Sequence, residues 1–224
     1  MSPYPDCPSP GKELTLDFPA SHCRLLVFAK APTPGRVLRR LVPPLSSRQA
    51  ASLHMRLTAD TLTRLAAPAP CPARLYAIPA TQHPFFRALA RRHRLPLRPQ
   101  RGSDLGERMH AALCQALTGA SAAVLIGSDV LGLQPRDIER ALGELAHGRD
   151  AVFVPMADGG YGLVGLRRPQ PGLFRAIPWG GGGVMAATRQ RCTELGLDWA
   201  ELPARWDLDR PADLDRPAAT RLLR

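Results

Sequence analysis

The sequence predicts an α/β fold: a mainly parallel sheet with helices on both faces. Three observations carry this. Apolar runs of strand length alternate with stretches of helical periodicity, the order expected of βαβ units. Hydrophobic residues make up 45% of the 224-residue chain, enough for a core on both faces of a sheet. Glycine-rich and charged segments follow directly on the apolar runs, and in open parallel sheets ligands bind beyond the carboxyl ends of the strands. The length suits one domain, here residues 22–224, after a disordered or loosely packed lead-in over residues 1–21.

Leu25–Ala29 reads as the first strand, short and apolar. Ser47–Leu65 carries Ala51, Leu53, Leu57, Leu62 and Leu65 near helical spacing, with Ser46 or Ser47 placed to cap it. Pro68, Pro70 and Pro72 break that pattern. Arg74–Ile78 reads as a strand, Phe85–His93 as a short basic helix and Leu95–Arg98 as a short strand. Asp104–Leu117 places Leu105, Met109, Leu113 and Leu117 on one helical face, with Ser103 or Asp104 as cap. Ala122–Ile126 is an apolar strand running into Gly127-Ser128-Asp129, and Pro135–Ala146 a helix with proline in its first turn. Ala151–Pro155 and Tyr161–Leu166 are strands flanking Asp158-Gly159-Gly160, and Asp-Gly is a hairpin signal. Val184–Gly196 is a helix after the tetraglycine Gly180–Gly183, and Trp199–Leu202 is the last strand, before an Asp-rich tail.

The formal net charge is +11. Only Lys12 and Lys30 among the basic residues are lysines, and GC-rich coding explains much of the arginine excess. The basic residues form no arm and are not interleaved with aromatics, so a small anionic substrate is expected rather than nucleic acid. The five cysteines are scattered with no C-x-x-C pair, which argues against a disulfide framework and structural zinc and fits a reducing cytoplasm. No signal-peptide pattern and no apolar run of membrane-spanning length occurs, so no membrane partner is expected. Oligomeric state is not legible.

The segment Lys30–Arg40 follows the first strand with Lys30, Pro32, Pro34, Gly35, Arg36, Arg39 and Arg40. Backbone N–H groups and cations in such a loop cradle phosphates, although a solvated basic turn has the same composition. Asp129 closes a strand, where it either caps a turn or holds a hard divalent cation together with nucleotide phosphates. A second carboxylate strengthens the metal reading, and Asp207-Leu208-Asp209 can return to the same edge; Asp209 can also cap a last helix with Asp213 in its first turn. The Asp158–Tyr161 segment is either an ordinary hairpin or a close approach to a ligand. The tetraglycine after Trp179 reads as a mobile loop over a site or a surface linker. The six histidines show no metal-ligand spacing, and no Ser/His/Asp or Cys/His nucleophilic set is present.

Six segments, in order, resemble a bacterial family of GT-A-like transferases known as arsenosugar-biosynthesis glycosyltransferases, also called radical-SAM/selenodomain-associated transferase 1. They are L-V-F-A-K-A-P-T-P-G-R-V at Leu26–Val37, G-S-D-L-G-E-R-M at Gly102–Met109, L-I-G-S-D at Leu125–Asp129, D-G-G-Y-G-L-V-G-L at Asp158–Leu166, I-P-W at Ile177–Trp179 and D-L-D-R-P-A-D-L at Asp207–Leu214. The resemblance implies a three-layer α/β/α GT-A-like, Rossmann-like fold of the nucleotide-diphospho-sugar transferase superfamily. It implies a metal-dependent glycosyltransferase using a nucleotide sugar on a small-molecule acceptor. The alternatives are a nucleotidyltransferase using a nucleoside triphosphate on a phosphorylated acceptor and a non-catalytic nucleotide-binding member.

By this resemblance Ala29, Lys30, Pro34, Gly35, Arg36 and Arg40 hold the nucleotide, with Asp104, Gly106 and Arg108 near the nucleoside. Asp129 and Asp209 hold Mg²⁺ or Mn²⁺. Gly159, Gly160, Tyr161 and Trp179 face the sugar or acceptor, and Asp158, with Asp129, is the catalytic candidate that orients or deprotonates an acceptor hydroxyl. The chain departs from the family pattern at three places. Leu38 stands where the family has lysine, Val130-Leu131 where it has Cys-Pro or Ser-Pro, and the tetraglycine where it has Ser-Thr. A lost charge-assisted phosphate contact is worth about 1.5–3 kcal/mol, and Arg39 is the residue placed to compensate.

Overall fold

Apolar alternation along the first strand sets the architecture. In β1 (Cys23–Lys30), Cys23, Leu25, Val27 and Ala29 enter one core and Leu26 and Phe28 the other, as the two-residue period of a strand requires. The structure, a computed structural model, describes residues 19–223. The expected lead-in therefore lies largely outside the described residues. With β1, the strands β2 (Ala73–Ile78), β3 (Leu97–Pro99), β4 (Ala122–Gly127), β5 (Ala151–Pro155), β6 (Tyr161–Leu166) and β7 (Trp199–Glu201) make one sheet in the order β3-β2-β1-β4-β6-β5-β7. All are parallel except β6, which runs antiparallel to β4 and β5.

Helix α1 (Ser47–Thr61) with the turn that continues it, α2 (Pro84–His93) and α4 (Pro135–Ala146) lie on one side of the sheet, through Leu62 and Leu65 of that turn, Phe86, Leu89, Ile138 and Leu142. Helices α3 (Leu105–Leu117) and α5 (Val184–Glu194) cover the other, through Met109, Leu113, Met185 and Cys192. The predicted elements are present with ends shifted by a few residues. Helix α1 continues into a π-helical turn over Leu62–Ala66, and the strand expected from Leu95 begins at Leu97, after Pro96. Asp104 caps α3, accepting the N–H of Glu107 at 2.8 Å.

A third apolar cluster joins Leu41, Leu53, Leu57, Leu131, Leu208, Leu214 and Ala219, with Leu38 and Trp206 packed on it. It welds the basic loop to the acidic tail and to the final helix α6 (Pro217–Leu223). The tail is further pinned by its backbone. Arg205 N–H donates to Pro155 O, Ala157 N–H to Arg205 O and Gly132 N–H to Trp206 O. Asp209 does not cap the last turn: Asp213 Oδ2 accepts the N–H groups of Asp209 at 3.3 Å and Arg210 at 2.8 Å, because the short 3-10 turn Pro211–Asp215 places Asp213 at its third position. Among the described residues no helix is long and apolar enough to cross a membrane, and the four described cysteines are free thiols.

Candidate active site

Every loop at the carboxyl edge of β1, β4 and β5 opens onto one cavity of about 840 Å³. From β1 come Lys30, Arg36, Leu38, Arg39 and Arg40; from β4 come Ser128 and Asp129; from the β5–β6 hairpin come Asp158, Gly160 and Tyr161; from the tail come Asp207 and Asp209. Ala29, Arg108 and Trp179 also line it. Of the residues expected from sequence, Pro34, Gly35, Asp104, Gly106 and Gly159 lie outside the lining. Gly106 instead lets α3 approach: an added Cβ would sit 2.7 Å from both Phe174 O and the Trp179 indole nitrogen. Histidine 54 and Gln100 line the cavity without having been anticipated. Gln100 is held by donating to Ala29 O and Tyr76 O at 3.2 and 3.0 Å.

Both charge signs line this one cavity. Lys30, Arg36 and Arg39 pair with no carboxylate among the described residues. Arg40 does pair, forking onto Asp209 at 3.0 and 2.8 Å with a weaker reach to Gly180 O. The nearby carboxylates act on Asp207. Its pKa is pushed up to about 6, first by burial and then by the charges of Asp158, Asp209 and Asp129. No cation pairs with it among the described residues. Like charges held together in a partly dry wall favour either a proton or a cation. An acidic set of this kind suits a hard divalent ion. Among the described residues no three acidic, His or Cys side chains converge closely enough to chelate an ion alone, so phosphate oxygens would have to complete the shell.

Three of the buried polar atoms without a partner among the described residues belong to this wall: His54 Nδ1, Arg108 Nε and Tyr161 OH. Burial also pushes the Tyr161 phenol far above its ordinary range, so it remains a donor. Its ring packs on Phe153 and edge-on to Trp179. Asp158 accepts the N–H of Gly160 at 2.8 Å, which fixes the carboxylate at the hairpin tip.

The departures from the family motifs have packing explanations. Leu38 sits in the left-handed region at φ 44° and turns its side chain onto the third apolar cluster. Val130 and Leu131 are buried, one in the main core and one in that cluster. The tetraglycine is a turn that supports the hairpin. Gly159 has φ +89°, and a Cβ there would overlap Gly182 O. Gly159→Ala is therefore expected to cost about 2 kcal/mol or more and to lower the melting temperature. Gly160→Ala, which meets the Asp158 carboxylate at 3.2 Å, is expected to cost less in the same melt.

The fold has solved relatives. A protein from Desulfovibrio desulfuricans G20, described as a candidate nucleotide-diphospho-sugar transferase, is 26% identical over 91% of this chain and 97% of its own, with a TM-score of 0.77. Glucosyl-3-phosphoglycerate synthase from Mycobacterium tuberculosis, solved with Mn²⁺, UDP-glucose and glycerol 3-phosphate, is 14% identical over 96% of this chain and 83% of its own, with a TM-score of 0.56. A cytidylyltransferase from Leptospira borgpetersenii serovar Hardjo-bovis is 10% identical over 90% of this chain and 92% of its own, with a TM-score of 0.53. The last two likenesses are of fold. The expected GT-A-like nucleotide-diphospho-sugar transferase architecture is thus the one found. Comparison with curated proteins yields no match. A family model matches residues 61–181, a span that includes Arg108, Asp129, Asp158, Tyr161 and Trp179. By that match the chain belongs to DUF2064, the family described as uncharacterized protein conserved in bacteria.

Proposed function

We propose that the chain is a metal-dependent glycosyltransferase that moves a sugar from a nucleotide-diphospho-sugar to a small-molecule acceptor. The observation that carries this reading is that three cations without carboxylate partners among the described residues, Lys30, Arg36 and Arg39, line one cavity together with the acidic set Asp129, Asp158, Asp207 and Asp209. Cations of a glycine- and proline-shaped loop bind the diphosphate. Asp129, with Asp207 or Asp209, would hold Mg²⁺ or Mn²⁺, which when bound offsets charge developing on the diphosphate leaving group. Arg40 leaves Asp209 for a phosphate in this reading, because a carboxylate that takes a metal gives up part of its ion pair. Asp158, fixed by Gly160 N–H, orients or deprotonates the acceptor hydroxyl. Tyr161 and Trp179 form the wall against which sugar or acceptor rests, and Arg108 lies beside the nucleoside. The resemblance to arsenosugar-biosynthesis glycosyltransferases supports arsenosugar biosynthesis as the setting of this reaction, with the cytoplasm as its site of action.

Nucleotidyl transfer to a small phosphorylated acceptor is the second reading, supported by the fold likeness to a cytidylyltransferase. Released pyrophosphate, rather than a nucleoside diphosphate, distinguishes it. The primary test is a thermal-shift titration with nucleoside di- and triphosphates, with and without Mn²⁺. A ligand at a hundredfold its Kd adds about 2.7 kcal/mol of stability. Wild type is expected to show a metal-dependent shift that Asp129→Asn abolishes. An equal shift in that variant would remove Asp129 from the metal site; a shift without turnover of any donor would leave the non-catalytic nucleotide-binding reading, and no shift with any nucleotide in wild type would overturn every nucleotide reading.

A further inference from the structure

Helix α1 carries a polar group into the cavity that the proposed reaction does not use. His54 is 3% exposed and lines the cavity. Its Nε2 lies 3.0 Å from the carbonyl oxygen of Lys30. A carbonyl only accepts, so that nitrogen carries a proton, and in the neutral ring Nδ1 is left with its lone pair. Nδ1 is buried and has no partner among the described residues. The neighbouring hydroxyls are already engaged: Thr58 Oγ1 donates to His54 O at 2.9 Å and lies 3.4 Å from Ser128 Oγ. Buried polar atoms are normally satisfied, and an orphan in the wall of a cavity calls for a ligand that completes it.

We propose that His54 is a binding residue of this cavity whose Nδ1 receives a hydroxyl group of the bound ligand. The inference rests on the nucleotide reading above. With Nε2–H held by Lys30, the ring offers only an acceptor, so the ligand group must be a donor. A phosphate oxygen is an acceptor and would require a second proton on the ring. The hydroxyls of a nucleotide sugar lie on its ribose and on its transferred sugar, and both are donors.

The test is calorimetric binding to wild type and His54→Gln in the presence of Mn²⁺. The probes are UDP, CDP, GDP and ADP, their 2′- and 3′-deoxy forms, and UDP-glucose and GDP-mannose. Glutamine retains an amide N–H for Lys30 O but lacks the ring acceptor. His54→Gln is expected to bind the preferred ligand about 10-fold more weakly, and His54→Asn, whose amide oxygen lies near the Nδ1 position, to recover part of the loss. A ribose contact shows as one deoxy form weakening wild type but not His54→Gln. A sugar contact shows as a loss confined to the nucleotide sugars. In wild type labelled with ¹⁵N-histidine, the Nδ1 resonance is expected to move on ligand addition, a readout that needs no variant. If nucleotides and nucleotide sugars bind both proteins equally and Nδ1 does not move, the His54 proposal falls while the nucleotide reading stands. If no nucleotide binds wild type, both fall.

Discussion

Replacing Arg205 with methionine is expected to destabilise the protein by about 3–5 kcal/mol, a drop in melting temperature of roughly 6–20 °C for a chain of this size. Asp137 has no exposed side-chain surface, whereas Arg205 is 18% exposed. The guanidinium meets the carboxylate through both oxygens, at 2.9 and 2.6 Å. Asp137 Oδ2 also accepts the N–H of Gln134 at 2.8 Å, closing the start of α4. Removing the arginine leaves a buried charge with one backbone donor. The desolvation of that carboxylate, already suffered in folding, then goes uncompensated. Pairing Arg205→Met with Asp137→Asn is expected to return part of the stability, because the amide carries no charge to strand. Denaturant melts of the two single variants and the double variant measure this as a coupling energy. A loss below about 1 kcal/mol in Arg205→Met would show that solvent reaches Asp137 freely. The ion pair also bears on the site, since Arg205 stands two residues before Asp207 and its backbone bonds tie the tail to β5.

That ion pair marks the limit of what the chain reveals before folding. Its partners are 68 residues apart, and neither sits in a pattern that points to the other. By contrast the sheet was legible, because strand runs such as Ala122–Ile126 are apolar on both faces and bounded by turn residues. The cationic loop and Asp129 were legible for a related reason: each directly follows such a run, and the carboxyl edge of a parallel sheet collects whatever follows its strands. The reversal of β6 followed from Asp158-Gly159, a hairpin signal.

What escaped depends on burial and long-range packing. Leu38, Val130 and Leu131 read as polar groups lost from a phosphate or metal site. Leu38 and Leu131 are apolar contacts that join the loop to the tail, and Val130 is buried in the main core; nothing local in the sequence shows that the tail returns there. Asp104 takes the capping role that its place before α3 predicts, whereas the room that Gly106, in the same motif, makes for Trp179 depends on a long-range approach the sequence does not show. His54 is a lone histidine in an amphipathic helix; only the proximity of the Lys30 carbonyl and the cavity reveals its orphaned nitrogen. Asp207 and Asp209 were indistinguishable in sequence. In the structure both reach the cavity, but Asp209 has Arg40 and Asp207 does not.

That asymmetry yields the second large effect: Asp207→Asn is expected to stabilise the metal-free protein at pH 8. Burial and the charges of Asp158, Asp209 and Asp129 raise the Asp207 pKa from 3.8 to about 6. A carboxyl whose folded pKa is higher than its unfolded one binds more protons in the native state between those values. Stability from this group therefore rises as pH falls through 6 towards 4 and is lost as pH rises. Above pH 6 the ionised group opposes folding, by about 1–2 kcal/mol after allowance for solvent screening. Asparagine removes the charge and should raise the melting temperature in chelator by about 2–8 °C at pH 8, with the gap closing near pH 4, where both side chains are neutral. Added Mn²⁺ reverses the ranking in the proposed reading, since the cation offsets in wild type the repulsion that the variant has lost, and a site relieved of its strain loses what strain was for. Melts of both proteins in chelator from pH 4 to 8, repeated with Mn²⁺ and nucleoside diphosphates at pH 8, measure both effects. If Asp207→Asn is less stable than wild type in chelator at pH 8, the repulsion is not there; if the two proteins gain equally from Mn²⁺ and nucleotide, Asp207 has no part in holding the ion.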